Sequence, residues 1–436
     1  MNYTEKDKLN KETANRRLFL RFRMGCEALC KGKGRVLVLF GYLALAALLW
    51  LCRGQIFRID SMGPFAPVVS GVLTLIFPVY VVGGLFFLVV AFGTPRGGTS
   101  ISNDLRRAGV VNHAGEAPLL AARYKDRKNP RITVLEFEAG GLARSEWEDK
   151  RARIETALNV HIAKITDGGN KRRVQLHTIP AGYDLPAILY WKDEYLCNNS
   201  FVLVLGESLL GPVVVNLAHI PHILLGGSTG SGKSVLLKLL LMECVKKGAV
   251  VCIADFKGGV DFPVVWHREC RMCFEERELL ELLTGLVDEL ERRKVAFRGA
   301  ECPNIDEYNK TTGEGLRRLI FACDEVAEVL DKTGLDKVQK ELVSQIESKL
   351  SVIARQGRAF GVHLILATQR PDATILAGQI RNNIDCRVCG RADNVLSQII
   401  LDNTNAADQI PKDARGRFLL LDGTIFHGYL FDEESF

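Results

Sequence analysis

The octapeptide Gly227-Ser228-Thr229-Gly230-Ser231-Gly232-Lys233-Ser234 constrains this chain more than any other stretch, because it meets every fixed position of the phosphate-binding loop pattern. Its surroundings have the form the pattern needs. The apolar run from Pro221 to Gly226 suits a buried parallel strand, and Val235 to Lys247 suits a helix that stops at Gly248. In a strand, turn and helix of this kind, glycines let the backbone curl until several N–H groups converge, and the helix start adds partial positive charge. The eight residues Gly227 to Ser234 are therefore expected to cradle the phosphates of ATP. Lys233 would reach the β- and γ-phosphates, and the Ser234 hydroxyl would bind Mg²⁺. The competing reading, a chance match in a Gly-rich turn, has to explain away both flanking elements.

Other segments supply the rest of a phosphoryl-transfer site. Leu319-Ile-Phe-Ala-Cys-Asp324-Glu325 is an apolar run ending in two carboxylates, the form of a buried strand that delivers Asp to the mouth of a sheet. Asp324 is expected to hold Mg²⁺ directly or through water, and Glu325 to act as the general base on the attacking water. Alternatively, Glu325 caps or salt-bridges the following helix. A strand from His363 to Thr368 would deliver Gln369, whose amide could touch both the γ-phosphate and the lytic water. A fourth strand, Val250 to Ala254, leads into Asp255-Phe-Lys-Gly-Gly259. Apolar strands alternating with helices from 201 to 400 predict an α/β fold with a mainly parallel sheet of RecA type.

The N-terminal part has a different character. Val36 to Cys52 is a charge-free run of seventeen residues, and a second charge-free run extends from Ser61 to Thr94 with its apolar heart at 68–92 and Pro78 inside. A bilayer core of about 30 Å takes about 20 helical residues, so each run suits one span, the first near the lower limit. Pro78 is expected to kink the second. Two such runs so close together argue against buried core helices, and the long charged stretch before the first argues against a signal peptide. Ten Lys and Arg precede Val36, whereas the intervening loop carries Arg53 and Arg58. By the positive-inside rule this predicts a hairpin in the cell membrane, with the basic tail (residues 1–35) and everything after 95 in the cytoplasm.

Residues 95–200, which alternate short apolar runs with Gly, Pro and charge, predict a small α+β domain and linker ahead of a motor domain at 201–436. Within it, Arg131 to Glu138 has strand period and Glu146 to Leu158 could form an amphipathic helix. The formal net charge of +6 permits a polyanionic partner without requiring one. Twelve scattered cysteines suit a reducing compartment. Cys270 with Cys273 and Cys386 with Cys389 have Cys-x-x-Cys spacing, but a strand through Cys386 and Cys389 would turn the two thiols to opposite faces, against a shared metal.

Several stretches in combination resemble the FtsK/SpoIIIE DNA translocases: Phe201 to Gly206, Gly211 to Val215, Pro221 to Val235, Glu289 to Arg293 with Asn304 to Asn309, Ala354 to Pro371, and Ser397 to Asp402. The resemblance spans roughly 200 to 420, and residues 131–180 look like a divergent form of the domain that precedes the family's motor. It implies a homohexameric ring that hydrolyses ATP and moves double-stranded DNA through its hole, with an arginine supplied to each site by the neighbouring subunit. Arg355, Arg358 and Arg370 are candidates, of which Arg358 is favoured. Phe436 comes shortly after Phe418 to Leu421, without the winged-helix domain that reads chromosome orientation sequences. With two spans rather than about four and no long Pro/Gln-rich linker, the chain looks like the shorter TcpA-type coupling proteins, which bring DNA to a conjugation channel. A relaxase and channel proteins would then be partners. A cell-division or chromosome-partition translocase, a protein-secretion ATPase (suggested by Asp255 to Gly259) and a membrane scaffold with a dead nucleotide site are the alternatives. Intact Lys233, Ser234, Asp324 and Glu325 argue against the last.

Overall fold

The computed structural model describes residues 3–56, 65–127, 129–183, 185–197, 201–369 and 378–433. They form two compact units, Met1–Tyr183 and Asp184–Phe436. In the first, the helices Lys33–Leu51 and Ala66–Phe92 correspond to the two apolar runs, and the second continues through Pro78. Most of their apolar side chains are left uncovered by protein: Leu37 and Leu75 are each 76% exposed and Val79 is 72% exposed. The basic segment before them, expected only as a tail, is a helix over Tyr3–Lys31. Its Phe22 stacks on Phe86 of the long apolar helix at 5.1 Å. The two backbones meet at glycine, since a Cβ on Gly25 would lie 1.9 Å from the Val89 carbonyl oxygen.

The rest of this unit is a small α+β domain. Strands β1 (Leu119–Lys125), β2 (Thr133–Glu138), β3 (Val160–Asp167) and β4 (Arg173–Pro180) form an antiparallel sheet in the order β1-β2-β4-β3. The amphipathic stretch expected at 146–158 is divided at Lys150 into the helices Arg144–Asp149 and Arg151–Leu158. They cover the sheet with Trp147 and Ile154, both fully buried, and Trp147 packs against Phe137 at 5.2 Å.

The second unit is built on an eleven-stranded sheet. Its strands are β5 (Leu189–Tyr190), β6 (Val202–Ser208), β7 (Gly211–Asn216), β8 (Ile223–Gly226), β9 (Val250–Ala254), β10 (Arg271–Cys273), β11 (Leu319–Cys323), β12 (Val362–Thr368), β13 (Cys386–Cys389), β14 (Arg417–Leu420) and β15 (Ile425–Leu430). The order β10-β9-β11-β12-β8-β13 is parallel throughout. An antiparallel wing, β14-β15-β6-β7, extends it, and β5 pairs with β15. Residues 185–197 thus belong with this sheet, where Tyr195 stacks on Tyr429 at 5.0 Å.

Strand period separates two cores. Leu224, Cys252, Phe321, Leu364 and Leu366 face the long helices Glu276–Gly299 and Lys337–Phe360. Ile223, Leu225, Ile253, Ala322 and Ile365 face the helix Lys233–Lys246. Cys386 and Cys389 fall into opposite cores, as do Cys270 and Cys273. Burial pushes the thiols of Cys270, Cys386 and Cys389 up to about 12 and that of Cys273 to about 11, which keeps them protonated rather than thiolate ligands.

Candidate nucleotide site

The parallel strands β8, β9, β11, β12 and β13 end side by side, and the residues that follow them make one site at their carboxyl edge, the usual location in open α/β sheets. After β8 comes the octapeptide loop, in which Gly230 and Gly232 adopt positive φ of 75° and 98°. Gly232 is confined as well as left-handed, because a Cβ there would lie 3.1 Å from the Gly416 nitrogen. Gly232 is also the N-cap of the helix Lys233–Lys246 and offers no side chain to its first N–H groups, so the helix start is open to an anion.

The cations and carboxylates meet beneath the loop. Lys233 Nζ donates to the Asp324 carbonyl at 2.6 Å and to its Oδ1 at 2.9 Å. Ser234 Oγ donates to the same Oδ1 at 3.0 Å, and Lys257 Nζ donates to Oδ2 at 3.1 Å. Burial alone would raise the Asp324 carboxyl, but the ammonium groups of Lys233 and Lys257 outweigh it and hold the group below the usual carboxylate range. Lys257 is raised: burial opposes its charge, and Asp261 and Asp324 overcome that. A hydroxyl and an ionised carboxylate within 3.0 Å of each other form an oxygen donor set that suits a small hard cation such as Mg²⁺, with water completing the shell.

Glu325 does not cap the helix Val326–Leu330 that it precedes. Its carboxylate accepts instead from Thr368 Oγ1 at 2.7 Å and from the Gln369 N–H at 3.0 Å, across to the end of β12. Gln369 in turn accepts from the Thr229 hydroxyl at 3.0 Å. Loop, carboxylate pair and amide are therefore one hydrogen-bonded set. The chain also brings in groups to which sequence reasoning assigned no role. Arg391, in the turn after β13, donates to Ser228 Oγ at 3.1 Å and to the Thr229 carbonyl, and bonds Lys412 O at 2.7 Å. It braces the crest of the loop and places a guanidinium beside it. Lys257 belongs to the quoted stretch Asp255 to Gly259, yet its contact with Asp324 depends on the pairing of Ala254 with Cys323. Asp255 Oδ2 and Ser231 Oγ are buried here without a hydrogen-bond partner among the described residues.

Arg358 lies elsewhere. It is exposed, near the end of the helix Lys337–Phe360, and donates to the Ala218 carbonyl at 3.3 Å. That end of the helix leads into the start of β12, about 20 Å of strand away from Thr368. Arg355 is exposed on the same helix, and Arg370 falls outside the described residues.

Comparison with known proteins gives the following similarities. Residues 197–373 match the FtsK/SpoIIIE family. A segment covering 47% of the chain is 30% identical to the DNA translocase FtsK of Treponema pallidum (strain Nichols), of which it spans 26%. A segment covering 48% is 31% identical to the DNA translocase SftA of Bacillus subtilis (strain 168), of which it spans 22%. The match thus covers about a quarter of the length of these relatives. Among solved structures, the pCW3 conjugation coupling protein TcpA, in its monomer form with ATPγS, superimposes with a TM-score of 0.58 at 35% identity, over 78% of this chain and 96% of that one.

Proposed function

This chain belongs to the FtsK/SpoIIIE family, and on that premise we propose that it is a membrane-anchored motor that moves double-stranded DNA, working as the coupling protein of conjugative transfer. It is a P-loop ATPase of that family. The observation that carries the proposal is the set Lys233, Ser234, Asp324, Glu325 and Gln369 assembled on one sheet edge. The direction of the DNA cargo toward conjugation rests on the similarity to TcpA along 96% of that chain.

In this reading Lys233 exchanges its Asp324 partner for the phosphates of ATP. Ser234 and Asp324 hold Mg²⁺, which supplies charge neutralisation at the transferring phosphoryl group. Glu325, aligned by Thr368 and the Gln369 N–H, takes a proton from the attacking water at its carboxylate. Gln369 carries the state of the loop to β12 through Thr229. Arg358, far from its own site and exposed, serves the site of the next subunit in a homohexamer. The exposed apolar helices Lys33–Leu51 and Ala66–Phe92 anchor the motor as a hairpin, with both flanking segments cytoplasmic. DNA is gripped by its phosphates, and relaxase and channel proteins are the partners that a coupling protein implies.

The test uses the full chain in nanodiscs. ATP hydrolysis is expected to rise severalfold with duplex DNA and to lose that stimulation as salt is raised. Lys233→Ala abolishes turnover, and Glu325→Gln retains bound ATP without turnover. An ATPase indifferent to duplex DNA at every salt concentration removes DNA as cargo. Wild-type turnover by Glu325→Gln removes the base assignment.

A further inference from the structure

A cavity of about 720 Å³ opens in the first unit, among the helix Tyr3–Lys31, the end of the helix Ala66–Phe92, and strands β1 and β2. Its wall contains Arg35, Arg96, Arg123, Lys125 and Arg173, with Glu27 and Glu136. The two carboxylates are already engaged: Arg173 donates to Glu27 Oε2 at 2.5 Å and to Glu136 Oε1 at 3.2 Å. Arg35 bonds a carbonyl, Ala28 O at 3.1 Å. Among the described residues, Arg35, Arg96, Arg123 and Lys125 face no carboxylate partner, and all four are exposed. Four cations without a carboxylate partner around one concavity give it a positive potential that attracts an anion.

The position of the cavity identifies the anion. Arg35 is the third residue of the apolar helix Lys33–Leu51, and Arg96 lies four residues beyond Phe92, the last of the other. The cavity is therefore level with the ends of both apolar helices. If these cross a bilayer, as proposed above and as this inference requires, that level is the cytoplasmic headgroup layer. Met24 and Phe92 add an apolar wall, which a phosphate backbone of nucleic acid would not use and the start of an acyl chain would. Basic pockets between membrane helices on the cytoplasmic side are suited to anionic head groups.

We propose that this cavity is a binding site for the head group of an anionic phospholipid, held by Arg35, Arg96, Arg123 and Lys125.

The experiment compares the full chain with the variant R96Q/R123Q/K125Q in nanodiscs of phosphatidylcholine, with and without phosphatidylglycerol. Retained lipid is counted by native mass spectrometry after release into detergent. ATPase activity in phosphatidylcholine alone checks that the variant is folded. Phosphatidylglycerol retained by the wild type, and lost by about fivefold per removed charge in the variant, supports the site. Wild type that resists alkaline extraction from membranes yet shows no phosphatidylglycerol preference overturns the lipid site and leaves the anchor standing. Release from the membrane by alkaline extraction overturns the anchor, and the lipid site with it. Displacement of phosphatidylglycerol by inorganic phosphate assigns the cavity to a free anion and overturns the proposal. So does a variant with unchanged lipid and lost duplex DNA binding.

Discussion

Charge at single residues is set by who sits opposite. Asp324 stays ionised in a buried position because two ammonium groups share it, whereas Glu243, fully buried in the helix that follows the loop, makes no ion pair among the described residues. Its carboxyl is pushed up to about 8, by burial first, with the Val204 N–H at 2.9 Å and Lys247 offsetting part of the effect. A carboxyl whose folded value exceeds its unfolded one binds more protons when folded. Its contribution to stability is therefore present below the unfolded value near 4.5 and is lost as pH rises toward 8. Across that window the loss is about 1.4 kcal/mol per pH unit. Glu243→Gln keeps an acceptor for Val204 and removes the titration, so its melting temperature is expected to exceed that of the wild type at pH 8 and to change less between pH 5 and 8. An unchanged pH dependence by calorimetry would remove the assignment. Gly232→Ala forces a Cβ toward Gly416 from a backbone at φ 98°, at a cost of about 1–3 kcal/mol, and is expected to weaken nucleotide binding as measured with a fluorescent ATP analogue.

At the scale of elements, the site is a property of strand order. The carboxylate pair after β11 and the amide after β12 are neighbours because β11 and β12 pair in parallel, and the loop after β8 joins them because β8 lies on the other side of β12. Thr368 is the last residue of β12, and its hydroxyl fixes Glu325. Thr368→Val keeps the shape and deletes a hydrogen bond to a charged acceptor, so turnover is expected to fall about tenfold with KM nearly unchanged, and Thr368→Ser to recover most of it. A KM effect without a kcat effect would show that Thr368 serves binding instead. The strands β8, β9, β11 and β12 are legible in the sequence because each is a short apolar run bounded by turn residues. The hairpin β6–β7 and the pair β14–β15 carry weaker signals. The wing alternates buried and exposed positions, as Val213, Val214 and Val215 do, and its edge strand carries Pro212 near its start.

For the whole molecule, the distance between Arg358 and its own nucleotide loop has a kinetic consequence. If Arg358 completes the site of an adjacent copy, R358A and E325Q subunits are each inactive alone, yet a mixture contains interfaces that pair an intact Arg358 with an intact Glu325. Mixing the two variants is expected to restore a measurable part of the ATPase activity, up to about a quarter of the wild type when interfaces form at random. Mixtures no more active than their components would place Arg358 outside the site.

The sequence by itself determined the local pieces: the loop from Gly227 to Ser234, the strand that carries Asp324 and Glu325, the apolar helices near the N-terminus and the family resemblance. These are short-range patterns, in which period, glycine spacing and apolar run length act within a dozen residues. Tertiary structure decided which pieces meet. Arg391 reaches Ser228 across 163 residues, Lys257 reaches Asp324 across 67, and Glu325 turns to Thr368 across 43 rather than to its own helix. No local pattern encodes those contacts. They follow from the register of parallel strands, and register is fixed only when both faces of the sheet are packed at once.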